Sequence, residues 1–120
     1  MREIKFRAWH EKLEKIIYIE SAILHSFGLD WVDKTGKSWE LEWDTIMQFT
    51  GLKDKNGIEI YEGDIVGNKY PCVIEWGTSK CAEFVAVGKD GVIYSLFNDG
   101  VYEVIGNIYE NPDLLTRKDS

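Results

Sequence analysis

The chain has 120 residues and carries 14 Lys and Arg against 21 Asp and Glu, a formal net charge of −7. That length suffices for one domain with a moderate core, and that charge excludes a general, phosphate-neutralising nucleic-acid binder. A hydrophobic content of 44% with 13% aromatics excludes an acidic disordered tail, and no run approaches the roughly 20 apolar residues of a membrane-spanning helix.

The N-terminus breaks into charge at once, which predicts no secretory leader and a soluble, intracellular protein. In Glu3 to Trp9, Ile4, Phe6 and Ala8 alternate with Lys5, Arg7 and Trp9, the period-two mark of a half-buried strand. Ile16 to Ile19 follows as its hairpin partner, although Leu13, Ile16 and Ile17 also suit one helical turn. Asp33-Lys34-Thr35-Gly36 is turn chemistry. Trp39-Glu40-Leu41-Glu42-Trp43 alternates without a fault and is predicted to be a strand. Ile46 to Thr50 reads as a strand ended by Gly51, and Asn56-Gly57 as a tight turn.

Beyond it, strands are expected at Ile58–Tyr61, Ile65–Val66, Cys72–Trp76, Phe84–Val87, Val92–Leu96 and Val101–Ile108. Asn111 as N-cap with Pro112 next predicts a short C-terminal helix. Short strands with turns every 8–12 residues predict an all-β fold built on a small barrel, with extra N-terminal hairpins. We expect a single domain over 1–120, with 1–45 as a β-hairpin region and 46–120 as the barrel if it subdivides.

The charge is uneven. The first sixteen residues carry a net +2 and the rest −9, so the leading strand is locally basic. His10, His25, Cys72 and Cys81 lack the close ligand pairs of a zinc site. Two cysteines without an oxidising compartment are read as reduced. Asp54 to Gly57 is a turn and not a calcium loop. There is no Gly-x-Ser-x-Gly elbow, no Gly-rich phosphate cradle, and no reason to read Glu40 and Glu42 as more than a solvated face. The expectation is a non-enzyme with no metal, cofactor or small-molecule substrate.

Binding is the stronger expectation. Five Trp, six Tyr and five Phe fill a barrel core well, but Trp9 shares its strand face with Lys5 and Arg7, where it is placed to stack a base or anchor a partner. Three blocks then carry a resemblance. Met1–Trp9, Met47–Val66 (Met-Gln-Phe-Thr-Gly-Leu-Lys-Asp-Lys-Asn-Gly-Ile-Glu-Ile-Tyr-Glu-Gly-Asp-Ile-Val) and Ile105–Pro112 come in the order of the phage-encoded YopX family, which the chain resembles. His10 departs from the Asp usual there, which bears on an acidic turn cap.

The resemblance implies a β-rich protein of phages and prophages, in the host cytoplasm, without an assigned activity, its C-terminal part similar to a Src-homology-type barrel. Gly63 is expected to take an unusual φ and Asp64 to accept backbone N–H bonds. A groove lined by Arg7, Trp9, Tyr61 and Asp64, with Lys5 nearby, is the candidate site. The leading expectation is a module that binds a protein partner or itself, away from membranes. The alternative is specific nucleic-acid binding through the basic first strand.

Overall fold

The computed structural model describes residues 4–67, 71–77, 83–88, 91–95, 100 and 102–116. Residues 1–3, Cys81, Leu96 and Val101, on which some of the expectations rest, lie outside the described residues. The chain divides into two compact units, 1–49 and 50–120.

Unit one holds β1 (Phe6–His10), β2 (Lys15–Ile19), β3 (Ser21–His25), β4 (Gly28–Val32), β5 (Ser38–Trp39) and the start of β6 (Ile46–Lys53). β1 is central in its sheet. It pairs antiparallel with β2, Ala8 opposite Ile17, and on its other side with β6, Ala8 opposite Ile46. Ala8, Ile17, Met47 and Phe49 are buried there. A second, three-stranded sheet runs in the order β3-β4-β5. Its buried apolar groups, Trp31 and Trp39, lie on β4 and β5, and every residue of β3 is exposed.

Unit two holds the end of β6, then β7 (Glu59–Tyr61), β8 (Asp64–Val66), β9 (Cys72–Trp76), β10 (Phe84–Gly88), β11 (Ile93–Ser95), β12 (Val104–Asn107) and α1 (Asp113–Thr116). β7 neighbours β6, and a five-stranded sheet runs β11-β10-β9-β8-β12, curling as a half-barrel. Its core is Ile60, Val66, Cys72, Ile74, Phe84 and Ala86, with Leu52, Tyr102 and Val104 packed against it. Each fully buried isoleucine in such a core contributes about 2 kcal/mol. The all-β expectation, with its barrel-like sheet and short C-terminal helix, holds.

Several local expectations are corrected. Trp39–Trp43 is not one strand: pairing with β4 stops at Trp39, and Trp43–Thr45 forms a 3₁₀ turn in which Thr45 N–H and Oγ1 both bond Glu42 O. The alternation there reflects separate environments. Trp39 is buried, while Trp43 is exposed and packs edge-on against Trp31. Gly51 does not end its strand. β6 passes through it to Lys53, with φ of 90° at Gly51, a conformation glycine takes without a Cβ penalty. Ile4, expected on the buried face, is exposed, and Arg7, expected on the outer one, is 5% exposed. Asn111 does not cap α1 with its side chain as expected; Oδ1 turns back to accept the N–H of Asn107.

Candidate functional site

The family-like blocks are best understood from their backbone. Thr50 Oγ1 donates to Ile60 O at 2.8 Å and accepts the N–H of Leu52. The buried Asp54 carboxylate accepts three backbone N–H groups, from Asn56, Ile58 and Val104. Burial pushes its pKa up, but the bonds from Val104, Ile58 and Asn56, with the Lys55 charge, outweigh that and hold it below the usual range. Gly57, with φ of 81°, closes the Asp54–Gly57 turn. Asp64, 1% exposed, accepts the Tyr61 N–H at 2.8 Å, and Gly63 has φ of 86°, both as expected from Glu62-Gly63-Asp64.

The last block closes in the same way. Asn107 Oδ1 accepts the N–H of Tyr109 and of Glu110, and its Nδ2 donates to Glu110 Oε1 at 2.7 Å. These polar side chains hold turns together; buried polar groups need such partners.

The expected site residues are therefore distributed as follows. Tyr61 and Asp64 are brought together, both buried, in unit two. Lys5, Arg7 and Trp9 stand in sequence along the start of unit one. Lys5 places its Nζ 5.1 Å from the Phe49 ring centroid, Arg7 is buried, and Trp9 is half-buried beside a shallow hollow of about 210 Å³. Glu11, Glu40 and Glu42 rim that hollow. It is small against the roughly 300–1,000 Å³ of ordinary ligand pockets, and Glu40 and Glu42 are solvated, as expected.

Next to it, Trp39 is pinned in place. Its Nε1 donates to Asp33 Oδ2 at 2.9 Å, and Lys15 and Lys37 lie 5.1 and 4.2 Å from its ring. The Thr35 hydroxyl, then the Trp39 indole, then the backbone N–H groups of Thr35 and Lys37 hold the Asp33 carboxyl well below the usual range against a smaller opposing effect of burial.

Both histidines serve turns. His10 Nδ1 accepts the N–H of Leu13, so the imidazole does the capping that an Asp would do there. His25 Nδ1 accepts the N–H of Phe27, and its Nε2 faces Asp30 Oδ1 at 3.2 Å. Among the described residues, no three His, Cys, Asp or Glu side chains converge as metal ligands, and no helix is long and apolar enough to cross a membrane.

The feature that sequence reasoning missed is the β3–β4 hairpin. Its strands pair from Ser21 opposite Val32 to His25 opposite Gly28, and Ser26-Phe27 form the tip. Every residue of β3 is exposed. Leu24 is 81% and Phe27 96% exposed, with Ile23 at 54%. Residues 21–29, Ser-Ala-Ile-Leu-His-Ser-Phe-Gly-Leu, contain no Asp, Glu, Lys or Arg, the longest such run in the chain. That run was the available signal.

Comparison with known proteins fits this architecture. A family model described as YopX protein matches residues 5–116. No curated protein matches the chain. The chain is similar to the crystal structure of protein EF1440 from Enterococcus faecalis, with 32% identity, a TM-score of 0.63, and coverage of 96% of this chain and 99% of that one.

Proposed function

The chain belongs to the YopX family, and on that footing we propose that it is a phage-encoded accessory protein that acts in the bacterial cytoplasm by binding protein, without catalysing a reaction. The observation that carries this reading is the exposed apolar hairpin, with Ile23, Leu24 and Phe27 directed to solvent. Leaving such a side chain in water forgoes about 1.5–3 kcal/mol that burial supplies. A partner surface that covers the hairpin recovers it, and exposed apolar clusters of this kind mark interaction sites.

The cations of the first strand support protein over nucleic acid. Arg7 is buried and the Lys5 ammonium lies over Phe49, whereas phosphate contacts call for accessible basic side chains. The hairpin itself presents no Lys or Arg between Ser21 and Leu29. The motif-rich blocks spend their polar groups on turns, whereas the hairpin carries Leu24 and Phe27, the most exposed large apolar side chains among the described residues.

A photo-crosslinking amino acid placed at Phe27 in the full chain, expressed in bacterial cells, tests the reading. The same group at Ile58, an exposed residue of unit two, is the control. Protein adducts formed at Phe27 and not at Ile58 are expected. Adducts equal at both positions, or adducts to nucleic acid, overturn it.

A further inference from the structure

We propose that the hairpin pairs with the hairpin of a second copy of this chain, β3 against β3 across a two-fold axis. The inference rests on the protein-binding reading above and names its partner. β3 is the outer strand of the sheet β3-β4-β5, and among the described residues no strand pairs with its other side. An outer strand of this kind presents a row of backbone N–H and C=O groups to any strand that approaches. Natural proteins block such edges with charge or proline, and β3 carries neither.

Charge selects the second copy as the occupant. Each copy bears −7, so two copies repel over most of their surface. Residues 21–29 form the longest stretch without Asp, Glu, Lys or Arg, and residues 21–28 of it are exposed. Like copies can meet there without setting like charges against each other.

Strand geometry then fixes the register. Residues directly opposite each other in an antiparallel pair point to the same face. A strand paired with its own copy must therefore centre on a residue, and the middle of Ser21–His25 is Ile23. That register sets Ile23 against Ile23, Ala22 against Leu24 and Ser21 against His25. The next pair outward is Glu20 against Ser26, so no acidic group faces another. The interface is isologous and closes as a dimer. It also joins two three-stranded sheets into one of six strands, inside the usual range of sheet size.

Five paired residues and the hairpin tip form a small contact compared with the roughly 800 Å² per partner of a stable complex. The dimer is accordingly concentration-dependent. Sedimentation equilibrium of the full chain over a wide concentration range tests it, with Ile23→Lys and Ile23→Glu as variants. Each variant sets like charges opposite each other and is expected to weaken self-association roughly tenfold. An equal mixture of the two restores it, because Lys then faces Glu.

Leu24→Lys, at a β3 position that is 81% exposed, is the second variant if Ile23→Lys does not fold. A wild-type chain that stays monomeric throughout overturns the proposal. So does self-association unchanged in the variants, or a loss that the mixture fails to restore. A monomer that still forms Phe27 adducts with a different protein overturns self-pairing alone and leaves the protein-binding reading intact; a monomer with no Phe27 adducts overturns both.

Discussion

Asp54 Oδ2 accepts the backbone N–H of Val104 at 3.0 Å, across fifty residues of chain. Through Oδ1 the same carboxylate accepts the N–H groups of Asn56 and Ile58 at 2.8 and 2.9 Å. One buried side chain thus shapes the Asp54–Gly57 turn and fastens it to β12. Removing it leaves backbone donors without an acceptor. Asp54→Ala is expected to cost about 3 kcal/mol, since bonds to a charged acceptor are stronger than neutral ones. Asp54→Asn, which keeps one oxygen, is expected to cost about half of that. Urea unfolding of the three chains measures both.

The pH dependence follows from the same group. The Asp54 pKa is lowered on folding: burial opposes the charge, but the backbone bonds and Lys55 outweigh it. A lowered carboxylate contributes stability that is fully present above its unfolded value, about 3.9, and is lost as pH falls through its folded value. The stability difference between wild type and Asp54→Asn is therefore expected to be constant near neutrality and to shrink below about pH 4. Urea titrations across that window check it; a difference that grows on acidification contradicts the assignment.

Gly106 has a different task. A Cβ built there lies 2.5 Å from Asn111 Oδ1, so Gly106→Ala drives the Asn111 side chain off the Asn107 N–H. The expected cost is about 1–3 kcal/mol, the range for overpacking. Adding Asn111→Ala removes the two nearest atoms, Oδ1 and Cγ, and leaves only the Cβ at 2.9 Å, so the double variant is expected to be more stable than Gly106→Ala alone. Thermal melts of the cycle show this directly.

Trp39 reports on Asp33. The Thr35 hydroxyl and the Trp39 indole are the chief causes that keep Asp33 ionised in mild acid, so the indole bond persists there. Near-ultraviolet circular dichroism is expected to hold steady as pH falls through the ordinary carboxylate range, as long as the fold survives. Asp33→Asn is expected to change that signal already at neutral pH.

Much of the β architecture was legible because burial is one-sided in most strands and period two survives in the sequence. Ile16–Ile19 and Cys72–Trp76 are of this kind, whereas Phe84, Val85 and Ala86 are all buried and show in the sequence as a short apolar run bounded by turn signals. Trp39–Trp43 misled for a physical reason: the alternation is real, but Trp39 is fixed by the Asp33 carboxylate while Trp43 belongs to a 3₁₀ turn. The polar roles of Asp64 and Gly63 were readable from turn chemistry. Those of Asp54 and Asn107 were not, because their partners depend on which strands meet, as the Asp54–Val104 bond does. The hairpin was missed because β3 buries nothing and so shows no alternation; its signal was the absence of charge.

The recognisable blocks hold the fold, and the binding proposed above falls to the hairpin. The double variant Leu24→Ser, Phe27→Ser separates these roles, since exposed substitutions typically change stability by no more than about 0.5 kcal/mol. The deciding measurement is the yield of protein adducts from a photo-crosslinking group at Leu29, beside the tip, in this variant and in the wild-type background, with the melting temperature taken on the same samples. The account predicts an unchanged melting temperature and loss of the adducts. Adducts undiminished at an unchanged melting temperature would contradict it.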